Sequence, residues 1–117
     1  MRQQSHAFTT IAGRTDAEFV DLVRNDQVDV LVDLNGHTGG QNRLNAFGLG
    51  AAPVQVSFLG YPNTTGHPGV DFYISDEFCT PVGMADHLFR EKLWRLPTGC
   101  IATQPLAGIP VPANEPF

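Results

Sequence analysis

Two short stretches combine glycine with small polar side chains in a way that suits holding a hydroxyl-rich ligand such as a sugar. They are Asn35-Gly36-His37-Thr38-Gly39-Gly40 and Gly60-Tyr61-Pro62-Asn63-Thr64-Thr65-Gly66-His67. Glycine permits positive φ and close backbone approach, while Asn and Thr supply amide and hydroxyl hydrogen bonds. The same residues also fill ordinary turns, so composition leaves both readings open. His37, after an Asn-Gly turn, is a ligand-facing donor or acid/base on one reading and an exposed or capping residue on the other. Arg43 could give a charge-assisted bond to a phosphate or carboxylate, or be a solvated helix charge. Asp26, Asp29 and Asp33 are candidate general bases. Asp26 fits a helix-to-strand turn better, and Asp33 serves only if its strand end opens to a cleft. His67 and His87 have no matching partners, so no zinc site is expected. The first loop matches neither GxGxxG nor GxxxxGK[ST], and no phosphate cradle of a nucleotide enzyme is expected.

The elements around these stretches follow from the pattern. Thr15-Asp16-Ala17-Glu18 is a capping box, and Phe19, Val20, Leu22 and Val23 continue it as one apolar helical stripe to about Asn25. Val28 to Leu34 reads as a buried parallel strand with Asp29 and Asp33 towards its ends. A short helix is expected from about Gln41 to Phe47, and strands over 54–59, 70–74 and 92–96. Pro81 to about Phe89 is a further helix candidate, and Leu93, Trp94 and Leu96 read as core packing. Alternating helices and strands predict an α/β unit with a mainly parallel sheet. Ligands of such a sheet sit beyond the carboxyl ends of its strands, which places both glycine-containing loops on one edge. Residues 1–14 form a polar irregular segment, 15–100 the folded unit, and 101–117 a Pro-rich tail or linker.

The 117 residues suffice for one hydrophobic core, and 42% apolar with 16% charged residues excludes wholesale disorder. The net charge of −5, without a Lys/Arg cluster, argues against nucleic acid as a partner. No apolar run approaches the roughly 20 residues of a membrane span, and residues 1–13 lack the apolar stretch of a secretory signal. Cys79 and Cys100 show no CxxC and no adjacent ligand pattern. They read as free thiols in a reducing compartment, with the cytoplasm as default.

Several ordered motifs together resemble one family. The run from Asp29 to Thr38, then Asn42-Arg43-Leu44, Ala52-Pro53-Val54-Gln55-Val56 and Leu59-Gly60-Tyr61-Pro62-Asn63-Thr64-Thr65-Gly66, resembles the catalytic region of O-GlcNAc transferases and SPINDLY-type transferases. Val70-Asp71-Phe72, Ser75-Asp76 and Phe89 to Pro97 continue the likeness, which covers roughly residues 17–100. The form Gly-Tyr-Pro-Asn-Thr-Thr-Gly leans towards the SPINDLY-like and bacterial branch.

The resemblance implies a Rossmann-like partial lobe of a GT-B glycosyltransferase. The implied activity is transfer of GlcNAc from UDP-GlcNAc, or fucose from GDP-fucose, to Ser or Thr of proteins, without a metal or other cofactor. It matches Leu59 and Gly60, with Tyr61 and Pro62, to backbone lying against the donor sugar. His37, Thr38 and Arg43 match a cleft-lining loop that supports the departing diphosphate. No catalytic acid/base residue is expected in this segment, and the family's nucleotide-binding lobe would lie beyond Phe117. Leu49-Gly50-Ala51 stands where bacterial relatives usually have Arg-Arg-Pro, which removes basic charge there. The expectation is therefore a fragment of such an enzyme, not active alone, with a complementing lobe or self-association as possible partners. The alternative is a non-catalytic α/β interaction or binding module derived from that lobe.

Overall fold

The computed structural model describes residues 6–40 and 42–101. In chain order the elements are α1 (Asp16–Asn25), β1 (Val30–Asp33), α2 (Leu44–Gly48), β2 (Val54–Phe58), β3 (Phe72–Asp76) and β4 (Lys92–Leu96). A single turn of 3-10 helix, Asp86–Leu88, precedes β4. The strands form one sheet in the order β1-β2-β3-β4, and every neighbouring pair is parallel.

Helix α1 starts where its sequence dictates. The Thr15 hydroxyl accepts from the Glu18 amide at 3.3 Å, and the Glu18 carboxylate accepts from the Thr15 amide at 2.7 Å. Phe19, Val20 and Val23 on its inner face pack with Ala46 and Ala51, against Ile11, Val28, Leu31 and Ala52. Leu44, Phe47 and Val70 form a smaller cluster that also meets Leu31. Both helices thus lie on the face of the sheet carrying Leu31. Arg24, in the last turn of α1, donates to the Leu49 and Gly50 carbonyls and ties the helix to the α2–β2 connection.

Gln55 is the polar centre of this face. Its side-chain amide donates to the Phe47 carbonyl at 2.8 Å and to the Gly69 carbonyl, and its oxygen accepts from the Ala51 amide at 3.0 Å. One buried side chain therefore satisfies three backbone groups of the connections that flank β2.

Three expectations need correction. Strand β1 is not buried: Val30 and Val32 are 51% and 43% exposed, because β1 is an edge strand and, among the described residues, no helix lies over its outward face. Trp94 is likewise 54% exposed on the opposite edge strand, packed edge-on against Phe72 rather than in the core. No helix runs from Pro81 to Phe89. Gly83 takes φ +78°, and the Asp86 carboxylate accepts from its amide and pairs with Arg95, so only the 3-10 turn forms. The helix expected from about Gln41 begins only at Leu44, with Arg43 at its cap position. Gln41 itself and the Pro-rich tail over 102–117 lie outside the described residues.

Candidate functional site

The two glycine-containing loops leave neighbouring parallel strands and meet at the carboxyl edge of the sheet. Asp33, at the end of β1, is buried, and its carboxylate accepts from the Asn35 and Gly36 amides at 3.2 and 2.7 Å. That geometry shapes the turn and occupies the carboxylate, so Asp33 is a turn-holding residue here. The Thr38 hydroxyl lies 2.9 Å from the Asn35 side-chain oxygen, and the Thr38 amide donates to the Asn35 carbonyl at 2.9 Å.

The loops touch through positions only glycine can fill. A Cβ on Gly60 would lie 1.6 Å from the Leu34 carbonyl oxygen, and one on Gly36 would lie 2.3 Å from the Tyr61 Cβ. The His37 ring stands edge-on to Tyr61 with centroids 5.2 Å apart, and its Nε2 lies 2.7 Å from the Thr65 carbonyl oxygen. His37 is thereby fixed in orientation on the rim of the site.

Leu59 is the strained residue. It adopts φ +65°, with its side chain 51% exposed. A branched side chain in the left-handed region costs about 1–2 kcal/mol and persists only where the surroundings impose it. Here the imposing feature is the backbone crossing of Gly60 over Leu34, which turns the chain sharply as it leaves β2. Leu59 and Pro62 line a cavity of about 300 Å³ with Phe58, Tyr73, Cys79 and Cys100.

Beneath the second loop lies Glu91, a residue that sequence reasoning missed. It is buried, and its carboxylate accepts from the Thr65 amide at 2.7 Å, the Thr64 hydroxyl at 2.6 Å and the Thr65 hydroxyl. Burial opposes its ionisation, but these hydrogen bonds outweigh burial and hold its pKa below the usual glutamate range. Between Arg90 and Lys92 it reads as one more surface charge, so no local signal marks it. The Tyr73 hydroxyl also braces this loop, donating to the Tyr61 carbonyl at 3.0 Å. Burial, then the nearby thiols and Glu91, push the Tyr73 pKa up.

Arg43 takes a separate place. It donates to Asp16 at 2.8 Å and to the Ile11 carbonyl at 3.2 Å, and it lines another cavity beside residues 8–14. His67 accepts from the Gly69 amide through Nδ1, and His87 is exposed. Asp29 is exposed and Asp26 caps the end of α1, so neither faces the loops' meeting point. The structure thus brings His37, Leu59, Gly60, Tyr61 and Pro62 together, with Thr38 on the same turn as His37, and leaves Arg43 apart.

The comparisons with known proteins agree on one family. A family model described as Glycosyl transferase family 41 matches residues 2–103. The chain is 42% identical over 108 residues to the Oryza sativa subsp. japonica protein "Probable UDP-N-acetylglucosamine--peptide N-acetylglucosaminyltransferase SPINDLY". That match takes in 88% of this chain and 11% of the rice protein. An Arabidopsis thaliana relative with the same description but the name SEC is 33% identical over 97 residues, covering 83% of this chain and 10% of its own. Among solved structures, a mutant of the Thermobaculum terrenum O-GlcNAc transferase superposes with a TM-score of 0.85 at 39% identity. It covers 97% of this chain and 22% of that one. The chain therefore spans about a tenth of the length of these curated relatives.

Proposed function

The chain belongs to glycosyl transferase family 41, and from that premise we propose that it forms part of the catalytic region of a protein O-glycosyltransferase. Its parallel sheet with flanking helices is the α/β partial lobe that the resemblance to GT-B enzymes leads one to expect. The observation that carries the functional reading is the strained Leu59-Gly60 turn, exposed at the rim of a cavity and locked by the Leu34 carbonyl.

In the proposed reaction the bond between the sugar C1 and the donor diphosphate breaks. A Ser or Thr hydroxyl of a protein takes its place, and the nucleoside diphosphate leaves. The role of this segment is to position the sugar through the backbone of Leu59 and Gly60, with Tyr61 and Pro62 shaping the wall. His37 and Thr38 offer polar atoms towards the departing diphosphate. Arg43, paired here with Asp16, is the basic residue that the proposal sets near the diphosphate. No metal takes part in this scheme, and the acid/base groups come from outside the segment. The relatives' descriptions favour UDP-GlcNAc as donor, with GDP-fucose as the alternative. The proposed setting is the cytoplasm, in keeping with two unpaired thiols.

Because the chain corresponds to about a fifth of the bacterial transferase, transfer by the isolated chain is not expected. A non-catalytic interaction module is the second reading, favoured by the exposed apolar side chains Val30, Val32 and Trp94 on the edge strands. The test is a chimera in which this chain replaces its counterpart in the Thermobaculum terrenum enzyme. Protein glycosylation by a folded chimera, with one donor preferred, supports the catalytic reading. A folded chimera that binds the nucleotide yet transfers no sugar supports the module instead.

A further inference from the structure

At the carboxyl end of β3 the fold gathers three groups that the sequence keeps apart. An oxygen of Asp76 and the sulfurs of Cys79 and Cys100 all lie within 4.8 Å of one another. Asp76 is buried at 4% exposure, and its carboxylate is aimed by three backbone amides, from Phe78 at 2.9 Å, Cys79 at 2.8 Å and Cys100 at 2.7 Å. A carboxylate has about four lone-pair directions, so these bonds orient the group and leave one direction towards the Cys79 and Cys100 thiols, which hydrogen-bond to it. Both sulfur-bearing residues line the cavity of about 300 Å³ that Leu59 and Pro62 also border.

We propose that Asp76, Cys79 and Cys100 form a binding site for a thiophilic divalent cation, zinc by ligand preference, with the fourth coordination position facing the cavity. Two thiolates and a carboxylate are a ligand set that zinc accepts and that calcium or magnesium does not. Tetrahedral zinc, with bonds of about 2.0–2.3 Å, spaces its ligands about 3.3–3.8 Å apart. From within 4.8 Å that is a matter of side-chain rotation. A disulfide between the same cysteines would need closure to about 2.0 Å. Backbone amides on the carboxylate supply the outer hydrogen bonds that ligating carboxylates require.

On binding, each thiol gives its proton to solvent, and the cation with two thiolates and one carboxylate carries a net charge of −1. The site borders the cavity at whose rim Leu59 stands and takes no part in the transfer step itself. Its effect is to fasten the segment after β4 to the turn after β3, closing the cavity wall on that side.

The test uses the reduced, metal-free chain titrated with cobalt as a spectroscopic probe. The expected result is one cobalt per chain, sulfur-to-cobalt charge-transfer absorption with tetrahedral ligand-field bands, and displacement by zinc. Cys79→Ser and Cys100→Ser are each expected to weaken binding by more than about 100-fold, since loss of even an outer-shell partner costs about 10–100-fold. Asp76→Asn also replaces with an NH2 group one of the two oxygens that accept from the Phe78, Cys79 and Cys100 amides, so the serine variants carry the test, with near-ultraviolet circular dichroism reporting their fold. A folded wild-type chain that binds no cobalt at millimolar concentration overturns the proposal. So does binding left unchanged in the Cys79→Ser, Cys100→Ser double variant.

Discussion

Glu91 shows how much one side chain can organise. Its carboxylate holds the amide and hydroxyl of Thr65 and the hydroxyl of Thr64, and Thr65 in turn offers its carbonyl to His37. A depressed carboxylate pKa contributes stability that is complete above the unfolded value, about 4.3, and is lost as pH falls through the folded value. Unfolding free energy, followed by urea titration between pH 7 and pH 3, is therefore expected to fall on the acid side, and Glu91→Gln is expected to flatten that fall. The same substitution should cost about 2 kcal/mol at neutral pH, where a charged acceptor of three donors is removed. Gln55→Leu should cost about 3 kcal/mol in the same assay, because it leaves the Gly69 carbonyl and the Ala51 amide unpaired and takes one of two hydrogen bonds from the Phe47 carbonyl. Leu59→Gly is a different kind of change. Relief of the left-handed strain is offset by the greater freedom of glycine in the unfolded chain, so stability should move by less than about 1 kcal/mol. Transfer by the chimera should drop less than for Gly60→Ala, because the proposed contact with the donor sugar is made by the backbone of Leu59, which glycine keeps.

At the scale of elements, the capping box and the loop crossing make separable contributions. Thr15→Ala removes the acceptor of the Glu18 amide and should destabilise the chain by about 1 kcal/mol without touching the loops. Circular dichroism and urea titration would show the loss, and a chimera bearing it should keep its activity. Gly60→Ala acts in the opposite manner. A Cβ cannot sit 1.6 Å from the Leu34 oxygen, so the ends of β1 and β2 must part. Loss of chimera activity with Tyr61 and His37 displaced is the expected outcome, read from aromatic side-chain resonances. An Ala variant that keeps those resonances unmoved would show that the crossing does not shape the site.

For the whole molecule, the main physical fact is a parallel sheet whose helices, among the described residues, both lie on one face, while on the other Val56 is buried and the edge-strand side chains are exposed. Parallel sheets are ordinarily buried on both. Here the registers place Val30, Val32, Val56, Phe72, Ile74 and Trp94 on the face opposite Leu31, and Val30, Val32 and Trp94 are exposed. The isolated chain is expected to bind an apolar dye and to associate as concentration rises, both reduced by Val32→Lys; monomeric sedimentation with no dye uptake would contradict this. Among the described residues no helix is long and apolar enough to cross a membrane, so this face is not read as part of a spanning helix.

What the sequence determined by itself is the set of local choices. The Thr15–Glu18 box, the β-branched run at Val30–Val32 and the glycines of the two loops each carry their conformation in neighbouring residues, because capping, β-branching and positive φ are short-range physics. The ordered motifs also carried the family, which the comparisons show. Burial was decided only by the tertiary structure. Val30–Val32 and Trp94 have the composition of core segments, yet their exposure depends on which strand becomes an edge and which face receives helices. Glu91, Gln55 and the grouping of Asp76 with Cys79 and Cys100 depend on contacts across 8 to 27 residues of chain. Such pairings come from sheet register and chain return, and no run of adjacent residues encodes them.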